Sequence, residues 1–154
     1  MSVLALIAAV MTQAAPAVVL PEALGLPMLD GTTRSADCMG LRERFEGLGK
    51  PFDCLATTVA LGNERAFQYI EAAKARGWQD AGGAANALMM IRPLDDGGCQ
   101  RLSIAAFPGT EAMAPGDPAY LLFAVDPAGT CPPPRPASGG PASGQSPTSP
   151  GSAE

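Results

Sequence analysis

Apolar and polar positions alternate with two different periods along this chain, and the change of period lays out its elements. Residues 63–78, NERAFQYIEAAKARGW, set Ala66, Phe67, Ile70 and Ala73 at three- and four-residue spacing, with Glu64, Arg65, Gln68, Glu71, Lys74 and Arg76 mostly elsewhere. This pattern predicts an amphipathic helix that Asn63 caps and Gly77 ends in a left-handed conformation. Residues 54–61, CLATTVAL, switch to a period of two, with Leu55, Thr57, Val59 and Leu61 on one face and Cys54, Ala56, Thr58 and Ala60 on the other. That predicts a strand that turns through Gly62-Asn63 into the helix.

After Trp78 the run QDAGGAANA reads as a flexible connection, and residues 87–91, apolar on both faces, read as a centrally placed strand. Pro93 and Asp95-Asp96-Gly97-Gly98 make a turn; residues 100–107 return as a third strand, and residues 120–125 form a fourth after a Pro/Gly-rich loop. Upstream, residues 18–33 are punctuated by Pro21, Gly25, Pro27 and Gly31 and read as an extended path across the surface. A short helix follows, with Ser35 or Asp37 as its cap, Gly47 at its end, and Cys38, Leu41, Phe45 and Leu48 along its inner side. The expected fold is α+β: one main helix on a small, mostly antiparallel sheet of about four strands, in the order strand-helix-strand-strand-strand. The direction of the first strand stays open, because the connection after the helix is long.

The two ends carry no core pattern. Residues 1–17 read as a secretory signal peptide, with an apolar stretch from Val3 to Val10 and small residues that allow cleavage after Ala14, Ala15 or Ala17, although no Lys or Arg precedes the stretch. Residues 132–154 hold seven prolines, four glycines and five serines and almost no bulky apolar side chain, so they read as a disordered tail. Residues 18–131 are left as a single domain.

Charge and composition then remove whole classes of function. A net charge of −5 and a pI near 4.6 argue against general affinity for nucleic acid or anionic lipid. Histidine is absent, which excludes Ser-His and Cys-His nucleophile pairs and the commonest transition-metal ligand. Asp95-Asp96-Gly97-Gly98 lacks the alternating ligands and closing glutamate of a calcium loop. Met89 and Met90 are neighbours on a strand, so they point to opposite faces and cannot close on one copper ion. Residues 82–86, GGAAN, have no phosphate-loop lysine. Trp78, just past Gly77, reads as the contact that closes the helix end, and Glu43, Glu46, Glu64 and Glu71 read as solvated helix charges. No catalytic, cofactor-binding or metal-binding residue is assigned.

The four cysteines carry the strongest inference. An even count in an exported chain of this size reads as a disulfide framework, whereas the spacings of 16, 45 and 32 contain no CxxC pair for zinc or redox chemistry. If the third and fourth strands are antiparallel, the start of one, after Cys99, lies beside the end of the other, before Cys131. That leaves Cys38 for Cys54, closing a loop of about 15 residues worth about 3 kcal/mol. The expected pairs are therefore Cys38 with Cys54 and Cys99 with Cys131. Taken together, these features predict a small exported bacterial protein, periplasmic or secreted, acting as a non-catalytic binding or accessory module of the cell envelope. It would engage an unknown protein partner, bind no nucleic acid, and make no stable membrane insertion once the leader is removed. The alternatives are a carboxylate-dependent envelope hydrolase and a small enzyme inhibitor that presents residues 108–118.

Overall fold

The computed structural model describes residues 17–20, 22–111 and 114–131. The expected tail, and the expected leader except Ala17, lie outside these residues. Strands β1 (Val18–Val19) and β2 (Leu26–Pro27) form a small hairpin, and β3 (Thr33–Arg34) precedes helix α1 (Leu41–Gly47). There follow β4 (Phe52–Thr58), α2 (Val59–Lys74), β5 (Gln79–Ala84), β6 (Ala87–Pro93), β7 (Cys99–Pro108) and β8 (Pro118–Gly129). The main sheet is antiparallel and six-stranded, in the order β3-β4-β8-β7-β6-β5.

The fold is thus α+β with two helices and an antiparallel sheet, but the sheet has six strands rather than the expected four or so. One extra strand is the short β3; the other is β5, which occupies most of the run expected to be a flexible connection. β5 reads QDAGGA and carries none of the branched or aromatic residues that mark strands; it is extended because it pairs with β6 through a tight hairpin. The first long strand is antiparallel to the last: β8 inserts between β4 and β7. The most buried strand is therefore β8, while β6 lies one place in from the edge and buries only Met90 completely.

Helix α2 begins at Val59, ahead of the expected Asn63, and β4 ends correspondingly early at Thr58. Neither Asn63 nor Thr58 caps it with a side chain; the carbonyls of Asp117 and Pro115 accept hydrogen bonds from the N–H groups of Val59 and Ala60, each 2.9 Å long. Two of the donors that every helix start leaves unpaired are thereby satisfied by a distant loop, a signal with no local trace. The other end is local. Gly77 has φ +85°, the Trp78 N–H reaches the Ala73 carbonyl at 3.3 Å and the Gly77 N–H reaches that of Lys74 at 3.0 Å, which together make a Schellman closure. Trp78 is buried behind it, with the Arg92 guanidinium 4.7 Å from its ring centre.

The core lies between α2 and one face of the sheet. Tyr69 and Ala73 pack there with Leu55, Met90, Leu102, Leu121, Phe123 and Val125. Phe67, expected on the buried stripe, is 68% exposed, and Tyr69 takes the core position. Residues 18–33 are not a surface path: Val19, Leu20, Leu24 and Leu26 all belong to this core. They are held by α2, since the Tyr69 hydroxyl accepts from the Leu29 N–H at 3.0 Å, Arg65 donates to the Asp30 carbonyl and Arg76 to that of Gly25. Buried Asp53 completes the attachment, accepting from the Leu20 N–H and from Arg34 at 2.9 Å. That carboxylate raises the pKa of Arg34, chiefly by its hydrogen bond.

A second cluster covers the opposite face, where Cys38, Cys54 and Leu122 are buried beneath Leu41 and Phe45 of α1. Leu48, expected on the same side, is 59% exposed, because the helix has ended at Gly47. The expected caps are also displaced: α1 starts from Gly40, and Ser35 instead accepts from the Cys38 N–H at 2.9 Å. Cys38, Met39 and Gly40 are successively left-handed, with φ of 52°, 56° and 75°. Such a conformation costs an L-residue about 1–2 kcal/mol, here offset by the anchored and fully buried Cys38.

Candidate functional site

Residues on α2 fall into two flanks at helical spacing. Arg65, Tyr69 and Arg76 lie on the flank covered by residues 18–33. Asn63, Phe67, Ile70 and Lys74 lie on the other, which borders an open groove of about 670 Å³. Its floor is the helix-side face of the sheet at Leu88, Ile104 and Ala106, and its far wall is the β5–β6 hairpin.

The groove exists because of side-chain size. α2 packs on β4, β7 and β8, and the sheet continues past it through β6 to β5. There the chain offers Gly82, Gly83, Ala84 and Ala85, which have almost no bulk to fill the space. Gly83 is required for packing: a Cβ there would lie 2.2 Å from the Ala87 carbonyl oxygen. A separate, smaller hollow of about 180 Å³, lined by Val59, Phe107 and Tyr120, shares Asn63 and Ala106 with the groove. The result is a trough of mixed lining along one side of α2, apolar around Phe67, Ile70, Leu88 and Ile104 and polar at Asn63 and Asn86.

Charge is confined to one end. Lys74 Nζ lies 3.0 Å from Glu71 Oε1 and 3.5 Å from Asp80 Oδ2. The hydrogen bond that Lys74 donates to Glu71 is the main cause that raises the Lys74 pKa, so the ammonium stays charged at neutral pH. Two carboxylates thus converge on one cation, leaving a surplus negative charge at this end. Among the described residues, no group of three or more His, Cys, Asp or Glu side chains is placed to hold a metal ion.

The cysteines sit away from the groove. Cys38 is bridged to Cys54 with Cα atoms 5.8 Å apart, and Cys99 to Cys131 at 4.9 Å. The first bridge is beneath α1 on the far face; the second is at the opposite end of β7 from Ala106. Both are structural, and no cysteine among the described residues is free. They mark a chain that folds in an oxidising, extracytoplasmic space. No helix among the described residues is long and apolar enough to cross a membrane.

Other residues singled out above fall into structural places. Asp95-Asp96-Gly97-Gly98 forms the β6–β7 turn, with Asp96 accepting from the Gly98 N–H at 2.9 Å. Met90 is buried while Met89, on the other face, is 41% exposed. The second half of the 108–118 loop is tied to the start of α2 through Pro115 and Asp117. The spacing that places Phe67 in the core hides the groove, and its one signal in the sequence is the Gly-Gly-Ala-Ala run after the helix. The chain matches no known protein family, no curated protein and no solved structure.

Proposed function

We propose that this chain is a non-catalytic binding module of the bacterial cell envelope, periplasmic or released, and that it engages a protein partner through the α2–β5 groove. The observation that carries the reading is Phe67, a large aromatic side chain 68% exposed in a groove whose lining beside it is apolar, at Ala66, Ile70 and Leu88. Exposed apolar patches of this kind mark interaction surfaces, and an aromatic at the centre of one is the usual energetic anchor. The alternatives have less support. A hydrolase needs one carboxyl group kept protonated for general acid work, and the two carboxylates nearest each other in the groove share the Lys74 ammonium instead. An inhibitor needs a loop standing clear of the body, and residues 115 and 117 are fastened to the helix.

Photo-crosslinking in the native envelope tests the reading. A p-benzoylphenylalanine in place of Phe67 is expected to give a discrete adduct with a partner, and the same probe in place of exposed Leu48 is expected to give none. Adducts at position 48 alone, or at neither position, would remove the groove as the binding surface. Repeating the experiment without residues 132–154 separates the folded domain from the tail, because loss of the adduct on truncation moves the function to the tail.

A further inference from the structure

Resting on the binding-module reading, we propose that the groove receives an amphipathic helix of a partner protein, about three turns long, which lies beside α2 on the sheet. Its apolar stripe covers Phe67, Ile70 and Leu88, and a lysine or arginine at one end meets Glu71 and Asp80.

The sheet leaves room for that helix. α2 packs on β4, β8 and β7, and residues 18–33 cover its other flank, so the groove opens over β6 and β5. From β7 to β5 is two inter-strand spacings, about 10 Å, close to the separation of two packed helix axes. Along α2 the groove runs from Asn63 to Lys74, about 17 Å of helix. Gly82, Gly83 and Ala84 keep its far wall free of bulk.

Backbone chemistry decides the conformation of the occupant. The floor strands β6 and β7 are each hydrogen-bonded to a neighbour on both sides, and α2 bonds within itself, so floor and near wall offer an incoming chain no backbone partner. An extended segment laid on Leu88 and Ile104 would leave its own N–H and C=O groups unpaired against apolar side chains. A helix satisfies these groups internally and presents only side chains, spaced three and four apart, to Phe67, Ile70 and Leu88.

Charge selects the partner. The Glu71 and Asp80 carboxylates share one ammonium, that of Lys74, and the whole chain carries −5, so a basic residue on the incoming helix is favoured at that end. The other end, at Asn63 and Asn86, is polar and uncharged. A second copy of this chain fits poorly: it too carries −5, its α1 has only seven residues, and its α2 is seated on its own sheet and cannot descend onto a neighbour's. The seven prolines of residues 132–154 are incompatible with a three-turn helix, and residues 1–16 contain no lysine or arginine for the carboxylates.

The test is selection from random sixteen-residue peptides displayed on phage against the full oxidised chain, followed by calorimetric titration and circular dichroism of the enriched peptides. Apolar residues three and four apart, a Lys or Arg at one end, and a gain of helical signal on binding are expected. Affinity should fall at least tenfold for Phe67→Lys, whose own circular dichroism should match the parent. It should fall several-fold for Asp80→Lys, and replacing the peptide's basic residue by Gln should remove this second loss. A single proline at the centre of the peptide should abolish binding, whereas a hydrocarbon staple across one turn of its polar side should tighten it several-fold. Peptides that depend on Phe67 but tolerate the proline, or that gain no helical signal, would overturn the helix and leave the binding module standing. If no enriched peptide depends on Phe67, both readings fall. A dimer in light scattering that Phe67→Lys dissolves would replace the partner by a second copy. A gain in peptide affinity on removing residues 1–16 or 132–154 would replace it by that segment.

Discussion

The rotation of α2 is open to a direct test, because positions 67 and 69 lie about 200° apart around a helix and cannot both face the sheet. Tyr69 is 1% exposed, its ring packs edge-on to Phe123 at 4.9 Å, and its hydroxyl accepts from the Leu29 N–H at 3.0 Å. Truncating a buried aromatic residue to alanine costs about 3–5 kcal/mol through lost contact and residual cavity. Tyr69→Ala should reach the upper part of that range, since the Leu29 N–H also loses its acceptor. Tyr69→Phe removes only the hydroxyl and should cost about 1 kcal/mol. Phe67→Ala, at a site 68% exposed, should stay within about 0.5 kcal/mol. Urea unfolding with both bridges intact measures all three. Trp78, buried and stacked under Arg92, is the only tryptophan and reports the transition by fluorescence. With a urea dependence of about 2 kcal/mol per molar, Tyr69→Ala should lower the midpoint by about 2 M. A Phe67→Ala penalty equal to that of Tyr69→Ala would refute this placement of the helix, and with it the groove.

Other outcomes follow from the same geometry. Limited reduction with alkylation should label Cys131 first, because it is only half buried whereas Cys38 and Cys54 are fully buried; peptide mapping that found Cys38 labelled first would contradict this. Replacing Cys38 and Cys54 together by alanine should cost about 3 kcal/mol from loop closure alone, read as a lower thermal midpoint. Gly77→Ala should cost about 1 kcal/mol, since φ is +85° but the space around it is open. Gly83→Ala should cost more, because a backbone oxygen blocks its Cβ at 2.2 Å; equal penalties in chemical denaturation would mean the β5–β6 hairpin is looser than described. The Lys74 pKa is raised on folding, so its ion pair contributes in full below the ordinary lysine value of 10.5 and is lost only as pH rises through the higher folded value. An NMR titration of Lys74 should therefore have its midpoint above 10.5, and one below it would show the Glu71 contact to be absent in solution.

The parts of the fold legible in the sequence are those governed by local chemistry. Gly77 ends α2 because a left-handed residue is needed at one point in the chain, and Asp95-Asp96-Gly97-Gly98 turns for similar reasons. The antiparallel pairing of β7 with β8 followed from their patterns, and it sets Cys99 opposite Gly129, close to Cys131. What escaped was decided by distant partners. CLATTVAL satisfies both periods, and the choice between strand and helix at Val59 is made by loop carbonyls more than fifty residues away. β5 is a strand by pairing, against its composition. Prolines and glycines separate the apolar residues among 18–33 and give them the look of a loop, yet Val19, Leu20, Leu24 and Leu26 fold inward into the core that holds Tyr69. Phe67 and Tyr69 were equally plausible core residues by spacing, so the groove depended on a helix rotation of which the pattern fixed only a broad arc.

The insertion of β8 between β4 and β7 sets a timetable for assembly. A nascent polypeptide that has emerged only as far as β7 holds two unmatched ladders and a helix without partners for its first amides. Neither half can close on its own, so the domain waits for its last strand and then locks in a single cooperative step with long-range contacts, a topology that folds comparatively slowly. The price of putting β8 in the middle is thus a chain whose earlier strands stay open until that one strand has emerged.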